Sequence, residues 1–211
     1  MNMMRFTTMK TKLRKYPSIF LILLLAISSC FLTGCVNQHP KDSKKSSQGE
    51  SVETMLEITD PKEKQAVLNA KAKVKALSGN PRIVATSPAV ADICDKLDLD
   101  LVGVPKSSVS KIPSRYKKVK KVGLAMSPDM EIVSSLNPDW ILAPSSLETD
   151  LKPKFEELKN TEYAFLNLRS VQGMYRSVQE LGEIFGKQQE AEKMTKEFTT
   201  FYKSYTKRNK N

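Results

Sequence analysis

One histidine and three cysteines are all that this chain of 211 residues offers to most enzyme and metal chemistry, and neither set is arranged for it. His39 stands alone, so no Ser/His/Asp or Cys/His constellation can be assembled, and no His/Cys set has metal-ligand spacing. A glycine-rich phosphate loop is missing as well, and the acidic residues are scattered over the faces of predicted helices. These absences argue against an enzyme. Basic stripes interleaved with aromatics are also missing, which bears on the formal charge of +11. Arg5, Lys10, Lys12, Arg14 and Lys15 all precede Cys35 with no acid among them, and without those five the balance is 29 basic to 23 acidic residues. An excess of that size, spread over the chain, marks a solvated surface and not a nucleic-acid site.

The one long apolar run, Pro17 to Leu32, follows the basic residues 1–16 and ends in Leu32-Thr33-Gly34-Cys35. A basic region, an apolar region and small residues before a cleavage point make a secretory signal over residues 1–34. The tetrapeptide resembles the bacterial lipoprotein box, which implies that Cys35 is lipidated, carries the palmitate and becomes the mature N-terminus. An uncleaved membrane anchor is the alternative, although the run is a little short for a span. Both readings put the rest of the chain outside the cytoplasmic membrane. With Cys30 removed and Cys35 modified, Cys94 is a single thiol, so no disulfide framework forms, and it reads as a small core residue on a helix.

Residues 35–80 read as the lipidated cysteine, a tether and a helical linker. Val36 to Glu50 has almost nothing to bury and predicts a disordered tether, in which His39 falls. Pro61 to Leu77 has strong helix propensity, but its apolar stripe of Val67, Ala70, Val74 and Leu77 is thin, which predicts a loosely packed or mobile helix. The ordered domain begins at Pro81. Arg82 to Thr86 reads as a strand, Ser87 as an N-cap and Pro88 as the first residue of the helix PAVADICDKL, where its missing N–H costs nothing. Leu101 to Val104 is a second strand, completing a βαβ unit, and Pro105-Lys106-Ser107-Ser108 is the loop at its carboxyl end.

Lys121 to Trp140 carries the densest signal. A short apolar run ends at Gly123, a loop holds Met126, Ser127-Pro128-Asp129 starts a helix, and Asn137-Pro138 stops it before a strand over Asp139 to Ala143. A helix over Leu151 to Leu158, a strand over Tyr163 to Leu168 and helices over Val171 to Gly186 and Gln188 to about Tyr205 follow. Strands alternating with helices predict an α/β chain: a single doubly wound, mainly parallel sheet followed by a long C-terminal helix. In such sheets ligands sit at loops leaving the carboxyl ends of strands, which is where Met126 lies. From the residues alone, Met126 is either such a contact or a gap-filler in the core, and Ser107 and Ser108 are either contacts or a plain polar loop. Met130, in register with Val133 and Leu136, reads as core.

The runs RIVATSPAVADICDKLDLDLVGVPKSS, GLAMSPD and FLNLRSVQGM, with the final long helix, resemble the metal-chelate binding proteins of ABC importers. Within that group they look most like the haem-binding lipoproteins of iron-regulated surface determinant systems, the IsdE type. The resemblance implies an N-terminal lobe over residues 81–170, C-terminal helices including the start of the inter-lobe helix over residues 171–211, and a second lobe that is missing. It implies haem b as cargo, clamped between lobes by a methionine matching Met126 and a histidine from the second lobe. It also implies contacts to the haem carboxylates at positions matching Pro88, Ala89, Ser107 and Ser108. Pro88 has no N–H to give, which shifts that load to Ala89 and Val90; Lys106 and Arg115 could add charge nearby but are not counted among the contacts. The second-lobe histidine has no counterpart here, which predicts weak or solvent-open binding, or a second polypeptide that completes the clamp. The implied setting is a lipid anchor on the outer face of a Gram-positive cytoplasmic membrane, with an ABC permease and haem-donating cell-wall or secreted proteins as partners. A siderophore or cobalamin cargo, or an anchored remnant without a ligand, remains open.

Overall fold

The computed structural model describes residues 5–6 and 56–208, so the cleavage site, Cys30, Cys35, His39 and the tether lie outside the described residues. Helix α1, Pro61–Lys75, starts where the Asp60 side chain accepts the Lys62 N–H at 2.7 Å and Pro61 takes the first turn. Strand β2, Ile83–Ala85, leads to α2, Pro88–Lys96, whose N-cap is Ser87, and then to β3, Leu101–Val104. A turn of 3-10 helix, Ser114–Tyr116, precedes β4, Lys120–Lys121. After a hairpin of β5, Gly123–Leu124, and β6, Ser127–Pro128, come α3, Met130–Ser135, and β7, Trp140–Pro144. The chain continues through α4, Glu148–Glu156, β8, Glu162–Leu166, α5, Val171–Phe185, and α6, Gln188–Arg208. The pair Arg5–Phe6, β1, lies antiparallel along β8 at the sheet edge.

The sheet order is β1-β8-β7-β2-β3-β4, and the five strands from β8 to β4 are parallel. Parallel strands need helical crossovers on both faces, so every central strand is apolar on both sides. Alternation along each strand divides the core accordingly. Ile83, Ala85, Trp140, Leu142, Ala164 and Leu166 pack with α1, α2 and α5, while Val84, Ile141, Ala143, Tyr163 and Phe165 pack with α3 and α4. Trp140 meets Phe185 of α5 edge to face at 5.6 Å, and Phe155 stacks on Phe165 at 5.8 Å across the opposite layer.

Two sequence expectations change. The helix over Pro61–Lys75 is not loose: Val67 and Ala70 are buried in the core, and Glu63 of α1, itself buried, pairs with Arg176 of α5 at 2.9 Å. Four apolar positions suffice because α5 supplies the rest of the interface and a polar network beneath it. The second correction is that Ser127-Pro128 does not start a helix. Both residues pair back onto Gly123–Leu124, and Asp129 is the N-cap, accepting the Ile132 N–H at 3.0 Å. Pro128 sits before the cap, where its missing N–H leaves the hairpin rung it occupies tolerable.

The other boundaries hold to within a few residues. Asn137 ends α3 in a left-handed conformation (φ 43°), and the Arg82 guanidinium donates to the freed carbonyls of Leu136 and Asn137. Gly186 closes α5 at φ 69°, a C-cap that favours glycine. Cys94 is fully buried on α2, and burial pushes its thiol up to about 12, so it is inert core.

Candidate functional site

From β2 the chain steps outward through β3 to β4, then crosses back to β7 on the other side of β2 and continues to β8. The direction of winding therefore reverses between β2 and β7, and in open parallel sheets ligands bind outside the carboxyl ends of strands at that switch. Loops leaving those ends begin at Thr86, Pro105, Val122, Ser145 and Asn167. All five sequence-predicted positions, Pro88, Ala89, Ser107, Ser108 and Met126, are on loops or first helical turns at this edge.

After β2, Thr86 donates its N–H to the Leu142 carbonyl at 3.0 Å, which ties the start of this loop to β7. Ser87 then caps α2: its hydroxyl accepts the Val90 N–H at 3.3 Å, and its carbonyl accepts the Ala91 N–H. Val90 is thus spent internally, contrary to the sequence expectation that it shares an anion with Ala89. Pro88 has no N–H, so Ala89, which is exposed, holds the first-turn donor without a protein acceptor among the described residues.

The loop after β3 and the hairpin after β4 are joined. Val122 donates to the Val104 carbonyl at 2.9 Å, Lys106 to the Gly123 carbonyl at 2.6 Å, and Asp129 to the Val122 carbonyl at 2.7 Å. Ser107 is half-buried and its Oγ accepts the Ser110 N–H at 3.0 Å, which folds the loop back on itself; Ser108 is exposed. The hairpin turns at Ala125-Met126. Gly123 permits it: its φ is 94°, and a Cβ there would lie 2.9 Å from the Asp129 nitrogen. Met126 at the tip is 73% exposed and Leu124 beside it 58%, so the thioether is presented outward and does not fill the core. Met130, the first residue of α3, packs against the core as its spacing predicts.

Apolar exposure concentrates on this edge. Val109, Leu124, Met126 and Val171 belong to the loops after β3 and β4 and to the first residue of α5, and they form most of the large exposed hydrophobics among the described residues. Sequence reasoning missed Val109, Leu124 and Val171, whose exposure depends on tertiary placement. It also missed Ser145, whose hydroxyl is buried at the end of β7 with no hydrogen-bond partner among the described residues. Arg115 is engaged elsewhere, by Asp98 and Asp100 at 2.9 Å each, and is not a site cation. No cluster of His, Cys, Asp and Glu suited to a metal ion exists among the described residues. The groove of about 510 Å³ between α1, α5 and α6 is lined by Leu56, Val67, Leu68, Lys71 and Glu183, and by none of the strand-end loops.

The sequence pattern of the periplasmic binding protein family matches residues 83–211, most of the described domain. This chain belongs to that family. The high-affinity heme uptake system protein IsdE of Staphylococcus aureus is 36% identical over 117 residues, covering 56% of this chain and 39% of that protein. Among solved structures, an ABC transporter substrate-binding protein from Listeria monocytogenes is 44% identical with a TM-score of 0.55, covering 58% of this chain and 46% of its own. S. aureus IsdE complexed with heme superimposes with the same TM-score, 0.55, at 34% identity, with the same shares covered. The siderophore-binding protein BauB, bound to acinetobactin and ferric iron, matches at 25% identity and a TM-score of 0.50 over 57% of this chain and 45% of its own. The chain spans less than half the length of the relatives it matches. Members of the family that it resembles are binding proteins, and no helix among the described residues is long and apolar enough to cross a membrane.

Proposed function

We propose that this chain is the haem-binding lobe of a substrate-binding lipoprotein serving an ABC importer. In this reading Cys35 carries the lipid that holds it to the outer face of the cytoplasmic membrane. Haem reaches it from cell-wall or secreted donor proteins and passes to the permease. The observation that carries the reading is Met126, an exposed thioether at the tip of a glycine-dependent hairpin on the sheet's ligand edge. A thioether is a soft, neutral ligand suited to haem iron, and the exposed Leu124 next to it offers an apolar surface to the porphyrin face. The propionates then fall to the free Ala89 N–H at the start of α2 and to the Ser107 and Ser108 hydroxyls, with Pro88 shaping the turn as a packing contact. The similarity to a haem uptake protein supports this cargo.

Titration of haem into the purified chain tests it. A saturable Soret shift is the expected result, lost or displaced in Met126→Ala while the far-ultraviolet spectrum stays unchanged. An identical Soret spectrum in Met126→Ala would refute the ligand assignment. A ferric siderophore is the second cargo that the structural neighbours favour. Saturable binding of a ferric siderophore with no haem binding would move Met126 from ligand to bystander.

A further inference from the structure

Between Asp100 and Asp129 the chain contains no acidic residue and seven basic ones: Lys106, Lys111, Arg115, Lys117, Lys118, Lys120 and Lys121. The basic excess is therefore concentrated in a single segment, unlike the even spread read from composition. Arg115 is neutralised by its three aspartates, Asp95, Asp98 and Asp100. The six lysines make no ion pair with any described residue, whereas Lys71, Lys73 and Lys187 on the other elements each hold an acid. Five of the six are exposed and Lys121 is half-buried.

The topology sets three of these charges, Lys106, Lys120 and Lys121, beside the ligand edge. Lys120 and Lys121 form β4, paired with Gly103 and Val104 immediately before the Ser107-Ser108 loop. Lys106 is the residue whose N–H joins that loop to the Met126 hairpin. Lys117 and Lys118 precede β4 at its amino end, on the side where Tyr116 donates to the Leu99 carbonyl and Arg115 holds Asp98 and Asp100, and are not at the ligand edge. Lys106, Lys120 and Lys121 are tied to the Gly123–Pro128 hairpin through the backbone bonds of Lys106 and Val122, a span of a few residues comparable to the screening length of physiological salt, about 8 Å, so these three act on an approaching ligand as one positive field. Exposed lysines left solvated add little to bound-state affinity but raise the rate at which an opposite charge arrives.

We propose that this lysine edge steers an anionic chelate onto the Met126 hairpin. The inference rests on the cargo reading above and extends it: the ligand class is anionic, and the lysines govern association but not retention. Ferric haem meets the requirement through its propionates.

Stopped-flow mixing of haem with the purified chain, read at the Soret band at low and high salt, tests this in wild type, K106E/K120E/K121E and the neutral K106Q/K120Q/K121Q. Haem dimethyl ester, which lacks the carboxylates, is the control. The association rate of haem is expected to fall about tenfold from wild type to the Glu variant at low salt, with the Gln variant between them. High salt should erase the differences, dissociation should be unchanged, and the ester should respond to neither charge nor salt. Equal association rates in wild type and the folded Gln variant at low salt would overturn the steering with the cargo reading intact. So would the same response from the ester. Absence of any saturable Soret change overturns the cargo reading and the steering with it. If the variants lose co-sedimentation with phosphatidylglycerol vesicles while haem rates stay unchanged, the lysines serve a membrane surface and the proposal fails.

Discussion

Replacing Glu180 with glutamine should stabilise the lobe, and the gain should depend on pH in a defined way. Glu180 lies on α5, 1% exposed, against Glu63 of α1, and Arg176 one turn away is the cation of the cluster among the described residues. Burial first, then the hydrogen bond and charge of Glu63, push its carboxyl up to about 9, with Arg176 opposing. At pH 7 the unfolded chain ionises this group freely. That pH is roughly 2.5 units above the ordinary value of 4.5, and at about 1.4 kcal/mol per unit the ionisation favours the unfolded state by about 3 kcal/mol. The folded state binds the extra proton across this window, so stability is lost as pH rises from about 4.5 toward 9. Glutamine keeps the shape and a donor toward Glu63 and ionises in neither state. Urea unfolding should therefore place Glu180→Gln about 3 kcal/mol above wild type at pH 7, level with it near pH 4, and further above it at pH 8.5. A difference that does not change with pH, or no difference at pH 7, would mean that Glu180 is ionised in the folded lobe and would refute this account.

Arg176→Met leaves the buried Glu63 carboxyl without its 2.9 Å partner and should cost about 3–5 kcal/mol in the same assay, most of it recovered when Glu63 is changed to Gln as well. Gly123→Val strains a φ of 94° and drives a side chain into the Asp129 nitrogen; a loss of about 2 kcal/mol or more, with haem binding lost before global unfolding, is the expected outcome by parallel urea and Soret titrations. Phe155→Ala opens a cavity beneath β7 and β8 and should cost about 3–5 kcal/mol while leaving the site loops in place. Cys94 should resist alkylation at pH 8 in the native chain and react at once in urea, by peptide mass mapping, since its thiol is fully buried.

What the sequence revealed and what it hid follow from how local the determinants are. Leu101–Val104 matches its predicted strand to the residue, and Ser87, Pro88, Asn137 and Gly186 terminate helices as expected, because caps and glycine or asparagine turns act through a few bonds to near neighbours. The hairpin at Gly123–Pro128 was hidden. Ser-Pro-Asp is a strong helix-start pattern, and only the rungs Gly123 to Pro128 and Leu124 to Ser127 move the cap on to Asp129. The packing of α1 was hidden too, since its thin stripe is completed by Arg176 and Glu180, more than a hundred residues away. Met126 lies on a strand-end loop as its position in the sequence predicts, but whether it faces inward or outward could not be read from one chain of letters, because methionine serves both roles.

The backbone bonds around Met126 bear on how a ligand would be held. Lys106 to Gly123 and Val122 to Val104 fasten the Ser107-Ser108 loop and the hairpin to one another and to β3. A loop pair tied in this way has few ways to move independently, so Met126, Ser107 and Ser108 keep a fixed spacing before any ligand arrives, which under the proposed reading is the spacing of the iron ligand and the carboxylate donors. Such preorganisation would lower the ordering cost of binding, which matters most where, as proposed, a single exposed thioether is the metal ligand. Gly123 is the residue on which it depends: it accepts from Lys106 and takes the positive φ that starts the hairpin. If the spacing is what counts, Gly123→Ala should weaken haem binding more than Ser108→Ala does, although Gly123 has no side chain to offer any ligand. The reverse order in Soret titrations would show that hydroxyl donors, and not the fixed frame, set the affinity.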